Sequence, residues 1–252
     1  MAIHHHLFAA NSRNGRRAVR MLRCAFSKLF LLCCLFVASV LAMSLIWPPI
    51  GSGPPTSKGY CLCNLKDIGL ALENYRIAHG RYPPAFVADK EGKPMHSWRV
   101  LILPYLGEER LFNLYDFSEP WDGPRNRKLA DHIPEIFVCP KKTTARTDST
   151  TSYLAVTGPG SAWSMPFKGN ATVTDPRIWV AEVARSGVNW MEPRDLALQD
   201  AARGVNVKDV LGISSLHADG ANVLFTGGFV DFLPSSTKSS CPYQKTGTQK
   251  GI

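Results

Sequence analysis

The most regular pattern of apolar and polar positions in the chain lies just beyond residue 59. One apolar stripe recurs there at steps of three and four residues, at Leu62, Leu65, Ile68, Leu72 and Tyr75. This spacing is typical of an amphipathic helix with one buried face, and it predicts a helix from about Gly59 to His79. Gly80 suits a left-handed cap, and Tyr82-Pro83-Pro84 cannot continue the helix. We expect the stripe to pack on a sheet.

Three shorter helices are predicted beyond this one, at Trp98–Leu103, Gly107–Tyr115 and Asn126–Ile133. Ser97 is expected to cap the first of them, and Pro104 to end or kink it. In the second, Leu111 and Leu114 are predicted to point inward.

Short β-branched or apolar runs predict strands at Ile136–Cys139, Ser152–Thr157 and Ile178–Val183. The clearest strand pair is a C-terminal hairpin over Ala221–Leu233. Its apolar positions alternate with small or polar ones, at Val223, Phe225, Val230 and Phe232. Gly227-Gly228 lies between the two arms, and glycines readily supply the positive φ angles of a tight turn.

An uninterrupted apolar run occupies Leu29–Trp47, which contains no charged side chain. As a helix it would be about 28 Å long, close to the hydrocarbon thickness of a bilayer. Six basic residues precede it, at Arg13, Arg16, Arg17, Arg20, Arg23 and Lys28, and no other follows until Lys58. Because cations resist translocation, we expect the N-terminus in the cytoplasm and everything after Trp47 outside.

A cleaved signal sequence is an alternative interpretation of the same run. Counted from Met21, a basic start and an apolar stretch lead to Val40-Leu41-Ala42, which resembles a signal-peptidase site. The true start would then be Met21 rather than Met1, and the protein would be secreted after cleavage at Ala42. Both interpretations place the domain outside the cytoplasm.

The composition divides the chain into five segments. A basic cytoplasmic segment covers residues 1–28 and the anchor or signal covers 29–47. A linker rich in Pro, Gly and Ser covers 48–59, because such composition cannot bury a face. The globular domain is expected over 60–234, and a flexible tail over 235–252.

The net charge of +9 does not predict a nucleic-acid partner. The six N-terminal cations account for most of the excess, and the remaining basic residues are nearly balanced by acids. A protein that neutralises phosphates needs a concentrated basic face. We therefore expect contact with the membrane through Leu29–Trp47 and no nucleic-acid binding.

Four cysteines fall in the globular region, namely Cys61, Cys63, Cys139 and Cys241. In an exported domain they suggest disulfides, with three possible connectivities. We predict a bond between Cys61 and Cys139, and a second between Cys63 and Cys241. A zinc site is the alternative, but paired zinc ligands usually have two to four residues between them and Cys61-Leu62-Cys63 has one. We predict no metal and no cofactor.

Catalytic chemistry is not predicted. Gly212-Ile213-Ser214-Ser215-Leu216 resembles a nucleophile elbow without its final glycine, and His217 and Asp219 follow within the same short segment. A loop entering the hairpin explains this segment better than a hydrolase site does. Glu182 lies in an apolar strand, where an ion pair or an edge position is expected.

Aromatic side chains are the remaining candidates for ligand contact, because exposed tryptophans can stack on sugars or peptides. The domain has five tryptophans, at Trp98, Trp121, Trp163, Trp179 and Trp190. We predict Trp163, Trp121, Trp190 and His217 as possible ligand-facing residues.

An ordered series of motifs resembles one known family. It begins with Cys61-Leu62-Cys63-Asn64-Leu65-Lys66-Asp67-Ile68-Gly69-Leu70-Ala71-Leu72-Glu73-Asn74-Tyr75 and continues with Gly80-Arg81-Tyr82-Pro83-Pro84, Ser97-Trp98-Arg99-Val100-Leu101 and Phe137-Val138-Cys139-Pro140. It ends with His217 and Gly220-Ala221-Asn222-Val223-Leu224-Phe225. The series resembles the domain of unknown function 1559 family, also labelled solute-binding protein family 10, prepilin-like or pseudopilin-like proteins of planctomycetes and related bacteria.

The resemblance implies an α+β fold in which a long, pilin-like N-terminal helix packs on an antiparallel sheet, with short helices and a C-terminal hairpin. Family members usually carry a prepilin cleavage motif before a helix that continues into the domain. This chain has no such motif, and Pro48-Pro49 and Pro54-Pro55 interrupt any continuous helix. We therefore expect a different kind of anchor.

These observations favour a non-catalytic, membrane-tethered extracytoplasmic domain that acts in envelope organisation or surface association. Its expected partner is an envelope protein or a glycan. A solute-binding module for a sugar or peptide is the alternative that the family label suggests. A hydrolase is a third class of protein, and its only support is the segment around Ser214 and His217.

Overall fold

The computed structural model describes residues 35–37, 39, 56–142, 148–164 and 176–237. The chain forms two compact units, residues 1–54 and residues 55–252. In the first unit, residues 35–37 are helical and exposed. Within the described ranges, no helix is both long and apolar enough to cross a membrane. Most of Leu29–Trp47, with Ala42, Met21 and Cys241, lies outside the described residues.

The second unit contains four α-helices among its described residues: α1 (Ser57–His79), α2 (Trp98–Leu101), α3 (Glu109–Leu114) and α4 (Leu198–Ala201). Single 3-10 turns lie at Leu103–Leu106, Asn126–Leu129, Glu135–Phe137 and Ala162–Ser164. The strands are β1 (Phe86–Ala88), β2 (Pro94–Ser97), β3 (Tyr153–Thr157), β4 (Ile178–Glu182), β5 (Leu196–Ala197), β6 (Gly220–Phe225) and β7 (Val230–Pro234). The α+β class is therefore confirmed.

Helix α1 forms where the apolar stripe predicts it. The hydroxyl of Thr56 accepts a hydrogen bond from the Gly59 amide at 3.2 Å and caps the start. Gly80 ends the helix in the left-handed conformation at φ 71°. Any continuation toward the N-terminus, which a pilin-like helix would have, falls outside the described residues and is not confirmed.

The main sheet has five strands in the order β5-β3-β4-β6-β7. The pairs β3–β4, β4–β6 and β6–β7 are antiparallel, whereas β5 pairs with β3 in parallel. The expectation of an antiparallel sheet is thus wrong at this edge, because the chain returns to β3 through a long connection rather than a hairpin. Strands β1 and β2 form a separate antiparallel pair.

Both faces of the sheet are buried, because alternate side chains of each strand enter different apolar clusters. Tyr153 and Ala155 of β3 join the cluster beneath α1, which also holds Leu65, Ile68 and Leu72. Leu154 and Val156 of the same strand join the cluster on the opposite face. This two-sided burial explains why the strands are nearly continuous apolar runs.

Helix α1 lies closest to the sheet at Gly69. A methyl group added at this position would lie 3.0 Å from Cδ1 of Leu224 on β6. The absence of a side chain at Gly69 therefore allows the close approach of helix and strand that seals the first cluster.

The hairpin prediction is confirmed. Strands β6 and β7 pair from Gly220 opposite Pro234 to Leu224 opposite Val230. Between them Gly227 and Gly228 have φ angles of 93° and 82°, which residues with a Cβ adopt at a cost.

Four local predictions need correction. The expected strand Ile136–Cys139 is a 3-10 turn, because the amide of Phe137 bonds back to the carbonyl of Pro134 at 3.0 Å. The expected helix Asn126–Ile133 is likewise one 3-10 turn.

Leu114 was expected inward and is 60 % exposed, because α3 ends at that residue. The first short helix ends at Leu101 rather than at Leu103, and Pro104 lies in the 3-10 turn Leu103–Leu106 that follows it.

Candidate functional site

Three side chains that bind metals or react with oxidants meet at one point beneath α1. Cys61 comes from the first turns of that helix, Cys139 follows the 3-10 turn Glu135–Phe137, and His217 lies in the loop before β6. The two Sγ atoms are 3.2 Å apart. The His217 Nε2 atom lies 3.6 Å from Sγ of Cys61 and 3.8 Å from Sγ of Cys139.

Local hydrogen bonds fix the two loops that supply Cys139 and His217. The amide of Cys139 donates to the Ser152 hydroxyl at 3.0 Å, at the start of β3. The amide of His217 donates to the Ser215 hydroxyl at 3.2 Å, and the Ser215 amide donates to the side-chain oxygen of Asn206 at 2.8 Å. Cys61 needs no such support, because it continues the buried stripe one turn before Leu65.

The cluster is excluded from solvent: Cys61, Cys139 and His217 are 0 %, 3 % and 5 % exposed. A hydrogen bond from Cys61 lowers the pKa of Cys139, and the same bond together with burial raises the pKa of Cys61. Burial lowers the pKa of His217. The imidazole is therefore neutral at pH 7 and has a lone pair available for a proton or a metal.

The predicted Cys61–Cys139 disulfide is not present. Both residues are free thiols, and their 3.2 Å separation is a hydrogen-bond contact, well beyond the roughly 2.05 Å of a sulfur–sulfur bond. The pairing of positions was correct, whereas the covalent bond was not. Cys63 is exposed on the other side of α1, and its proposed partner Cys241 lies outside the described residues.

Glu182 is buried beside the cluster rather than ion-paired or at an edge. Its strand, β4, is the central strand of the sheet, and its side chain is buried. The Oε2 atom accepts the amide of Asn222 at 2.6 Å and the side-chain amide at 3.3 Å. Within the described ranges, Oε1 has no hydrogen-bond partner. Its charge acts on Cys61, Cys139 and His217.

The segment around His217 does not assemble a hydrolytic triad. The Ser214 hydroxyl donates to the Gly212 carbonyl at 3.1 Å, and that of Ser215 accepts the His217 amide. The carboxylate of Asp219 pairs with Lys58 at 2.7 Å. In the part of the chain that the structure describes, no hydrogen bond joins a serine hydroxyl to the imidazole of His217, and this chemistry requires such a contact.

The tryptophans predicted to face a ligand are part of the core of the domain. Trp190 is fully buried, and its Nε1 donates to the Ala130 carbonyl at 3.0 Å. Trp163 is half-buried, with Nε1 donating to the Trp179 carbonyl at 2.8 Å. Trp121 is half-buried against the same cluster. Of the four ligand-facing candidates, only His217 lies among other reactive groups.

Sequence reasoning assigned no role to Arg99, whose buried guanidinium organises part of the core. The guanidinium donates to the Trp190 carbonyl at 3.0 Å and to Asp195 at 2.7 Å. It also donates to the carbonyls of Glu192 and Arg194 at 3.0 Å each. The sequence signal was a cation placed between two apolar residues, Trp98 and Val100.

A cavity of about 770 Å³ opens on the side of the loop that contains His217. The loop 206–212 forms one wall, with Val207, Val210 and Leu211 partly exposed. Polar groups of Arg185, Asn206, Lys208, Asp209 and Ser215 also line it. No tryptophan is among the lining residues.

The fold and the cluster together define an α+β domain with a buried pair of cysteines and a histidine at one end of its central helix. Residues 60–183 match the model of a family described as a protein of unknown function, DUF1559. This region of the chain belongs to that family, and it includes α1 from residue 60 onward, Arg99 and both buried cysteines. Searches of curated proteins and of solved structures found no significant match.

Proposed function

We propose that this chain is a non-catalytic, membrane-tethered extracytoplasmic domain that acts in envelope organisation or surface association. The basic flank before Leu29–Trp47 supports the tether and its orientation. The start of the second compact unit at residue 55, within the Pro-rich linker, supports a domain that folds separately from that tether.

The observation that carries the association role is an apolar pair on the solvent side of α1. Leu70 and Ile77 are 60 % and 68 % exposed, seven residues apart, and so lie on one face about two turns from each other. The buried stripe of the same helix faces the sheet. A helix with apolar side chains on both faces offers its outer face to a partner.

Orientation is tested with C-terminal fusions of the full chain to reporters active on one side of the membrane. We expect activity from a reporter that works only outside the cytoplasm, and silence from one that works only inside. Deletion of residues 29–47 should reverse the two signals. A strong cytoplasmic signal from the intact chain would overturn the proposal.

Association is tested by chemical cross-linking in intact cells, with Leu70→Glu/Ile77→Glu compared with wild type. The double substitution should remove cross-linked species that wild type forms, because two charges cannot be buried unpaired at an apolar contact. Leu114→Glu on α3 is the matched control, because Leu114 is equally exposed on another element. Unchanged cross-linking in the double variant would overturn the role of this face.

The cavity beside the loop 206–212 favours solute binding as the second candidate. Its volume lies in the range of small-molecule sites, and it combines apolar side chains with Arg185, Lys208 and Asp209. A sugar or short peptide that binds there should raise the melting temperature of the full chain. Leu211→Glu should abolish the rise while Leu114→Glu leaves it unchanged.

A further inference from the structure

We propose that Cys61, Cys139 and His217 form a three-ligand site for a zinc ion. This assignment differs from a zinc site at Cys61 and Cys63, whose spacing is unfavourable, because the second thiol and the imidazole come from distant parts of the chain. It is independent of whether the domain binds an envelope partner or a solute.

The spacing of the donor atoms fits the ion. Zinc binds sulfur at about 2.3 Å and imidazole nitrogen at about 2.05 Å in tetrahedral geometry, which separates sulfur from nitrogen by about 3.6 Å and the two sulfurs by about 3.8 Å. The observed sulfur–nitrogen distances are 3.6 and 3.8 Å, and the sulfur–sulfur distance is 3.2 Å. All three atoms lie within 4.8 Å of one another. Only the sulfurs need to separate, by about 0.6 Å.

The donor set also favours zinc over harder ions. Two thiolates and one neutral imidazole suit zinc, copper(I) and related ions, whereas magnesium and calcium prefer oxygen ligands. Binding Zn²⁺ displaces the two thiol protons to solvent, so the ligands carry a charge of −2 that balances the ion. The fourth position stays open to water or to a ligand.

The surroundings of the cluster support a bound cation. Glu182 is buried, acts electrostatically on all three ligands, and has no ion-pair partner in the part of the chain that the structure describes. Its Oε1 also lacks a hydrogen-bond donor there. Buried charges are usually paired or close to a metal, and an ion at the cluster would place a positive centre near this carboxylate, while the two thiolates keep the zinc site itself neutral.

The ion would hold together three segments far apart in sequence. Cys61 and Cys139 are separated by 78 residues, and Cys61 and His217 by 156. A single ion would thus join the start of α1 to the turn before β3 and to the loop before β6. Such a link stabilises the folded state only while the metal is bound.

The test uses the full chain in detergent, purified with a thiol reductant and without added chelator, followed by elemental analysis. We expect one zinc per chain in wild type and loss of zinc in Cys61→Ser, Cys139→Ser and His217→Ala. Cys63→Ser is the matched control, because Cys63 lies on the same helix but is exposed. It should retain the full zinc content.

A second measurement applies even if a cysteine variant fails to fold. After removal of metal by chelation, Zn²⁺ should raise the melting temperature of wild type and of Cys63→Ser but not of His217→Ala. Co²⁺ should give the sulfur-to-cobalt charge-transfer absorption and strong visible bands of a tetrahedral thiolate site. Absence of zinc and of a Zn²⁺-dependent shift in wild type would overturn the proposal. So would stoichiometric copper instead of zinc, or recovery of Cys61 and Cys139 as a disulfide-linked peptide.

Discussion

Arg99 and Asp195 form a buried ion pair at the centre of the domain, with 2.7 Å between guanidinium and carboxylate and side chains 0 % and 4 % exposed. The carboxylate oxygen also accepts the indole of Trp98 at 3.2 Å and the amide of Ala155 at 2.8 Å. Through these contacts the pair joins α2, β3 and the loop before β5. One carboxylate oxygen of Asp195 thus accepts hydrogen bonds from three donors.

We expect Arg99→Met to lower the free energy of unfolding by about 3–5 kcal/mol, because it leaves the buried Asp195 carboxylate without its cation. Denaturant unfolding of the full chain measures this loss. Arg125→Met is the control: Arg125 also pairs with an aspartate, Asp116, but its side chain is 76 % exposed. It should cost under about 1 kcal/mol. Equal losses in the two variants would contradict the structural role of Arg99.

Gly220→Ala should disrupt the hairpin. A methyl group at Gly220 would lie 2.1 Å from the backbone oxygen of Leu233, and a backbone atom held in the β6–β7 ladder cannot move aside. We expect loss of folded protein or a destabilisation larger than about 4 kcal/mol, as for other severe core changes. Gly228→Ala has open space around its Cβ, so it should cost only about 1 kcal/mol, from its positive φ.

Acid titration should reveal the contribution of Asp116 to the stability of the fold. Hydrogen bonds from Ser118 and from Arg125 lower its pKa to about 2. A group whose pKa is lower in the folded state stabilises the fold above its unfolded pKa, and this stabilisation is lost as the pH falls toward the folded value. Stability should therefore decrease between about pH 4 and pH 2, and less so in Asp116→Asn.

The Glu182→Gln substitution should distinguish the effect of the Glu182 charge on stability from the effect of its packing. In metal-free protein the amide removes a buried charge while keeping an acceptor for Asn222, so the melting temperature should stay equal or rise. The increase in melting temperature caused by Zn²⁺ should stay close to that of wild type, because zinc with two thiolates is neutral and changes the charge beside Glu182 little. A clearly different increase in the variant would contradict a neutral zinc–dithiolate site.

The elements that sequence analysis placed correctly are those specified by neighbouring residues. Helix α1 follows from a stripe with helical spacing and a terminal glycine, and the hairpin follows from alternation on both sides of two glycines. Ile136–Cys139 was misassigned because an apolar run of four residues does not distinguish a strand from a turn. In the structure, the hydrogen bond from the Phe137 amide to the Pro134 carbonyl makes this segment a 3-10 turn.

The site was only partly predictable for a related reason. Sequence analysis paired Cys61, at the start of the predicted helix, with Cys139, at the end of the predicted strand Ile136–Cys139. The meeting of His217 with them depends on how a loop 156 residues away folds over the start of α1, and no local pattern encodes that contact. The Arg99–Asp195 pair spans 96 residues and was missed on the same grounds.

The two edges of the main sheet constrain how this domain can meet other chains. Among the described strands, β5 is two residues long, and β7 contains Asp231 and ends at Pro234, which has no amide hydrogen to donate. Neither edge is therefore a good template for an added strand, and polymers built by strand addition are disfavoured. Contacts with neighbouring molecules would then be made through side chains, and high local concentrations of the domain would not by themselves lead to fibres.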